Sequence, residues 1–130
     1  MRKTLLLLIL TLFSFSAIHA KISWEISNDG TLTISGTSMP DYNIGGAPWY
    51  SRHEEIKKAV IKDGVTNSGD YAFYGCNNLS SVTIPNSVTS IGTSAFSECF
   101  ALTSVTIPNS VTSIGRWAFK ICFNLGCIVR

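Results

Sequence analysis

Residues that carry chemistry are scarce in this chain, and most of the scarcities exclude a function. Two histidines occur among 130 residues, His19 and His53. His19 falls in an N-terminal segment expected to be removed. His53 is then left to carry any Ser-His-Asp or Cys-His chemistry. It stands beside Glu54 and Glu55 on a short predicted helix, where a solvated surface histidine is the simpler reading. Adjacent acids point to different sides of a helix and make no general acid–base pair. No C-x-x-C pair occurs and no histidine lies near a cysteine in sequence, so no metal site is expected. Gly45-Gly46 runs into Ala47-Pro48 rather than a helix-opening Lys or Ser, so no phosphate-cradling loop is expected either. No catalytic residue and no cofactor can be assigned.

An excess of one charge is also missing. The formal net charge is +2, and it comes from Arg2 and Lys3. Without residues 1–20, the ten basic residues become eight and balance eight acids. No basic stripe remains for phosphate backbones, and no polybasic patch for a membrane surface, so nucleic acid is not an expected partner. One apolar run stands out, Leu5 to Phe15, broken by Thr11 and Ser14. It falls well short of the roughly 20 apolar residues that span a bilayer. Arg2 and Lys3 precede it, and Ala17-Ile18-His19-Ala20 follows it. Residues 1–20 therefore read as a secretory signal peptide cleaved after Ala20, with no membrane insertion afterwards. The protein is expected to be secreted or at a cell surface.

What the chain does have is repetition. Residues 79–101 and 102–124 agree at 17 of 23 positions, a looser copy occupies 56–78, and a partial copy occupies 125–130. A period in the twenties predicts stacked coils, each burying its apolar edge against the next. The recurring pattern is L-x-x-V-x-I-P-x-x-V-x-x-I-G-x-x-A-F-x-x-C-x-x. V-x-I, as in Val82-Thr83-Ile84, is a strand with Thr outward, ended by Pro85 or Pro108. Val88 to Ile91 predicts a second short strand. Gly69, Gly92 and Gly115 share a column read as a tight turn with unusual backbone angles. Phe73, Phe96 and Phe119 share another, which predicts neighbouring rings. A-F-x-x-C predicts a single 3₁₀ or α turn. Coil one is short of apolar volume: Ser68 stands in the column of Ile91 and Ile114, and Ala59 in that of Val82 and Val105. Before the coils, residues 21–55 predict a cap. Its parts are a β-hairpin turning at Asn28-Asp29-Gly30, a loop, and a helix from about Arg52 to Lys57 behind a Ser51-x-x-Glu54 capping box. Trp24, Trp49 and Tyr50 are candidates to cover coil one.

This repeat resembles the BspA-like leucine-rich repeats of bacterial and protist proteins. Trp24 to Gly36, Met39-Pro40-Asp41-Tyr42 and Pro48-Trp49 resemble the segment that often precedes them. The resemblance implies a mainly β solenoid of short stacked parallel strands. It also implies adhesion or host-protein binding, with no catalytic residues in the motif.

Cys76, Cys99 and Cys122 recur every 23 residues, and Cys127 is extra. A secreted chain with four cysteines invites disulfides. Equivalent residues of adjacent coils, however, hold their Cα–Cβ vectors parallel, whereas a disulfide needs converging Cβ atoms about 3.8 Å apart. Buried thiols are the favoured reading, with Cys122–Cys127 the pair most open to exception. Candidate binding residues are Ser81, Thr83, Ser104 and Thr106 on the strands, with Arg116 and Trp117 in a polar-tolerant column. Three functions stay open. One is a module binding an extracellular or host protein; another is a glycan-binding module using Tyr42, Trp49 and Tyr50; the remote third is a hydrolase built on His53. Self-association through the C-terminal coil is expected, because Leu125 and Ile128 restart the core pattern and Arg130 then replaces the next isoleucine.

Overall fold

The computed structural model of the protein describes residues 22–130; the expected signal segment 1–20 lies outside them. Strands β1 (Ile22–Ile26) and β2 (Thr31–Gly36) form the predicted antiparallel hairpin. Its turn closes with Gly30 at φ +84° and the Gly30 N–H on the Ser27 carbonyl at 3.0 Å. A side chain at Gly30 would also meet the Glu55 carbonyl at 2.6 Å.

The hairpin is more than a lid. Strand β2 pairs in parallel with β3 (Lys58–Ile61), placing Leu32 beside Ala59 and Ile34 beside Ile61. Strand β3 pairs with β5 (Ser81–Thr83). Strand β7 (Ser104–Thr106) follows in the stack and pairs with β9 (Cys127–Val129). Thus β2 is itself the first rung, and β1 closes its outer edge. A second parallel ladder joins β4 (Asn67–Ser68), β6 (Ser90–Ile91) and β8 (Ser113–Ile114). The result is a mainly β solenoid of about four turns.

The repeat explains strand length. Lys62 donates its N–H to the Ile34 carbonyl at 2.8 Å, so β3 is four residues long. Pro85 and Pro108 occupy that column in the next coils and have no N–H to give, and β5 and β7 are three residues each.

The core is a set of columns. Phe73, Phe96 and Phe119 stack at centroid spacings of 4.9 and 5.3 Å with planes within 7°, as their shared column predicts. Trp49 extends this stack from the cap, 6.0 Å from Phe73. Phe100 and Phe123 make a second stack at 5.3 Å, which the repeat pattern did not single out because coil one has Asn77 there. Stacked rings add about 0.5–1.5 kcal/mol per pair to plain burial.

Three local expectations are corrected. The helix is a 3₁₀ segment, Tyr50–Glu55, and its N-cap is Trp49 without a side-chain capping bond. The buried Trp49 sets where the turn begins, which puts Ser51 inside it, so the Ser51–Glu54 capping box does not form. The A-F-x-x-C segment is not a helical turn either but a third ladder. In coil one Tyr71, Phe73 and Gly75 donate their N–H groups to the carbonyls of Thr93, Ala95 and Ser97 at 2.7–2.9 Å. Coil two repeats this from Ser94, Phe96 and Glu98 to Arg116, Ala118 and Lys120. The N–H groups between these, of Ala72, Tyr74 and Cys76, turn back onto the carbonyls three residues earlier, and the backbone takes positive φ at every fourth residue: +53° to +61° at Tyr71, Ser94 and Trp117, and +58° to +72° at Gly75, Glu98 and Ile121. Finally, the Gly69, Gly92 and Gly115 column does not have positive φ. Its glycines answer close approach instead. An added Cβ at Gly92 would lie 2.5 Å from the Asp70 nitrogen, and at Gly69 it would overlap the Pro40 carbonyl.

Candidate binding surfaces

The six candidate residues are not one site. Ser81 and Thr83 on β5, and Ser104 and Thr106 on β7, are all exposed. They belong to the outer face of the first ladder, which extends through Thr83, Val60, Thr33 and Glu25 across four paired strands. Side chains on this face are small, and in the β1 to β5 register its charges are Glu25 and Lys58. Beside it, Ser23, Trp24, Glu25, Thr33 and Ser35 line a shallow open hollow on the hairpin.

Arg116 and Trp117 sit instead on the turn ladder of coil three. Trp117 is 52% exposed and held between two cations, with Arg116 Cζ 5.4 Å and Lys120 Nζ 5.0 Å from the ring centroid. Lys120 was not singled out from the sequence. Its column holds Tyr74 and Ser97, so spacing alone gives no signal. Coil three and the segment after it also expose Ile114, Ile121, Phe123, Ile128 and Val129.

The cap aromatics form no exposed platform. Trp49 is 1% exposed and its Nε1–H is spent on the Ala72 carbonyl at 2.8 Å. Tyr42 packs edge-on to Trp49 at 5.8 Å, and burial pushes its hydroxyl up to about 12. The half-buried Tyr50 stacks on His53 at 4.4 Å, and the His53 Nδ1 bonds the Tyr50 carbonyl at 2.8 Å. His53 is thus a packed ring, not the solvated one expected, and its Nδ1 is already engaged.

All four cysteines are free. Cys76 and Cys99 are buried, and the Cys99 Sγ donates to the Phe73 carbonyl at 3.2 Å. Burial raises the Cys76 thiol to about 12 and raises those of Cys99 and Cys122 as well. Such thiols supply no thiolate near neutral pH. Cys127 is exposed on β9 and is not paired with Cys122. No cluster of metal-ligating side chains occurs among the described residues, and none of their helices is long and apolar enough to cross a membrane.

Solved structures repeat this architecture. A leucine-rich repeat protein from Eubacterium ventriosum superposes with a TM-score of 0.71 at 31% identity, over 84% of this chain and 35% of that one. A leucine-rich cell surface protein from Faecalibacterium prausnitzii gives 0.57 at 21%, over 84% and 52%. A leucine-rich repeat protein of T. pallidum gives 0.52 at 17%, over 83% and 68%. The latter two likenesses concern the fold alone. The chain spans little more than a third of the E. ventriosum protein. No curated protein matches it. A model of the BspA type leucine-rich repeat region matches residues 44–129 in six copies. The repeats, the stacked ladders and this match together establish that the chain belongs to the BspA-type leucine-rich-repeat family.

Proposed function

We propose that the protein is a secreted or cell-surface module of the adhesion type. On this reading it binds an extracellular protein through the outer face of its first ladder, by surface complementarity and without catalysis. The observation that carries the reading is the row of exposed, small, uncharged side chains at Ser81, Thr83, Ser104 and Thr106 on short strands whose inner face is core. Such a face is rigid before binding, so little ordering entropy opposes association. It also has few charges to desolvate. The signal-like segment 1–20 supports the location. The glycan reading draws no support from Trp49, Tyr42 and Tyr50, which pack into the cap.

The test is a pull-down from host extracellular proteins, followed by titration of the retained protein. Thr83→Arg with Thr106→Arg should abolish binding while the melting temperature holds, and Trp117→Ala should leave it intact. Equal binding by the double arginine variant would remove this face from consideration. Retention by a glycan array alone would move the function to carbohydrate.

A further inference from the structure

The hairpin fixes where the backbone groups of β1 point. The Ser27 N–H bonds the Thr31 carbonyl at 3.0 Å, and the register sets Glu25 opposite Thr33 and Ser23 opposite Ser35. In an antiparallel pair alternate residues exchange bonds with the neighbouring strand, and the residues between them face the other way. Ser23, Glu25 and Ser27 therefore aim their N–H and C=O groups at β2. Ile22, Trp24 and Ile26 aim theirs at the opposite edge, where β1 has no neighbouring strand among the described residues. The same alternation on β2 sends the Ile34 carbonyl to the Lys62 N–H of coil one, so the assignment agrees on both sides of the hairpin.

Exposed edges are commonly blunted by lysine, proline, a bulge or an inward-pointing charge. Strand β1, Ile-Ser-Trp-Glu-Ile, has none of these and pairs with β2 residue for residue. Its inner face carries Ile22, Trp24 and Ile26. Trp24 is 36% exposed and lies edge-on to Trp49 at 5.9 Å; Ile22 and Ile26 pack partly against the core. Its outer face carries Ser23 and Glu25, both exposed. About Trp24 the strand reads the same from either end: apolar, polar, aromatic, polar, apolar. A two-fold axis perpendicular to the sheet at Trp24 sets Trp24 against Trp24, Ile22 against Ile26, and Ser23 against Glu25 of a second copy. No like charges meet, and each Glu25 carboxylate faces a serine hydroxyl able to donate to it.

The geometry points to a closed dimer in which a second copy of this chain pairs antiparallel along β1. The Trp24 N–H donates to the second copy's Trp24 carbonyl. The Ile22 and Ile26 N–H groups donate to its Ile26 and Ile22 carbonyls, and every bond occurs twice by symmetry. The two Trp24 Cα atoms come to about 5.5 Å, which brings the indoles into contact range. The interface is isologous and closes at two, because pairing spends the same edge of both copies. Pairing over five residues is small beside a standard interface, so a dissociation constant of about 1–100 μM is expected. The axis keeps both outer faces on one side and joins two first ladders into one sheet. On the function proposed above, the dimer presents that binding face twice, which suits a partner with repeated epitopes.

Sedimentation of the purified protein from about micromolar to millimolar concentration tests this without any ligand. The expected result is a monomer–dimer equilibrium. At low concentration, amide exchange should find Glu25 and Ser27 protected and Trp24 and Ile26 open; at high concentration all four should be protected. Ser23→Glu sets like charges opposite one another twice and should weaken the dimer about threefold to tenfold, with the melt of the monomer nearly unchanged. Ser23→Glu combined with Glu25→Lys makes both pairs opposite in charge and should restore it. A monomer throughout the range, open-ended polymers, a dimer whose Trp24 and Ile26 amides stay open, or a dimer as strong in Ser23→Glu would overturn the proposal. So would protection of Trp24 and Ile26 that appears only when a protein retained in the pull-down is added, which would give the edge to that partner's strand.

Discussion

Coil one and coil three carry the same repeat and sit in opposite circumstances. Coil one has the poorer sequence: Ala59 for valine, Ser68 for isoleucine, Lys62 for proline. It is nevertheless buried through Ile56, Ala59, Ile61, Val65, Phe73 and Cys76. Coil three has the fuller pattern, yet its Ile114 is 44% exposed where Ile91 is 1%. The difference teaches that a repeat's stability comes from its neighbours. Each coil buries one face on the coil before it and the other on the coil after it. The cap gives coil one both neighbours, and residues 125–130 give coil three only part of one.

Substitutions in the cap should have the largest effects. Trp49→Ala removes a fully buried ring that touches Trp24, Tyr42 and Phe73. It should cost about 3–5 kcal/mol in denaturant melts and expose the carbonyl edge of coil one. Trp49→Phe keeps a phenyl ring in the stack, trims the buried indole and removes its bond to Ala72, and should cost about 1–3 kcal/mol. If the two variants are equally damaging, the indole N–H and not the packing holds the cap.

Next in size is Asn67→Ala. The Asn67 amide clamps Met39 from both sides, accepting its N–H and donating to its carbonyl, each at 2.8 Å. Loss of both bonds should lower stability by about 1–2 kcal/mol. Amide exchange in residues 37–49 should rise before exchange in coil two. A uniform rise throughout would mean that the cap and the coils open as one unit.

In coil three a gain is expected. Ile121 is β-branched and has φ +58°, a conformation costing about 1 kcal/mol or more for such a residue; coil one uses Gly75 there. Ile121→Gly should stabilise the chain by about 0.5–1 kcal/mol, read as a higher denaturation midpoint. A loss would show that the Ile121 side chain, 39% exposed, packs for more than its strain.

Ser68 gives a smaller gain. Its Oγ is buried without a partner, and Met39 reaches the neighbouring Gly69. Ser68→Ala should therefore add about 0.5–1 kcal/mol by removing an unpaired hydroxyl. Ser68→Ile, attractive from the column alone, competes with the cap for space and should do no better than alanine. Smallest in free energy is a gradient of access with no cost in stability. At pH 8 a thiol reagent should label Cys127 fast, Cys122 slowly, and Cys76 and Cys99 only after denaturant is added. Early labelling of Cys76 would show that coil one opens more readily than coil three.

Period and pattern alone determined the solenoid, the Thr-out strand, the proline stops, the Phe73–Phe96–Phe119 stack and the free buried cysteines. Each is a local rule repeated at a fixed interval, so one coil's chemistry implies its neighbour's position. Tertiary structure decided what repetition cannot encode. Residues 37–49 do not repeat the 23-residue pattern, yet they bond coil one as a neighbouring coil would, through the Thr37 carbonyl, the Met39 thioether, the Asp41 carboxylate and the Trp49 indole. The glycine column looks like a turn signal in sequence; in the stack it marks where neighbouring backbones come too close for a Cβ. The six candidate residues look alike as polar columns, but the coil's circuit puts four on one ladder and two on another. Whether Trp117 lies within a ladder or at its end depends on what packs next to coil three, and a residue's own sequence neighbourhood carries no record of that.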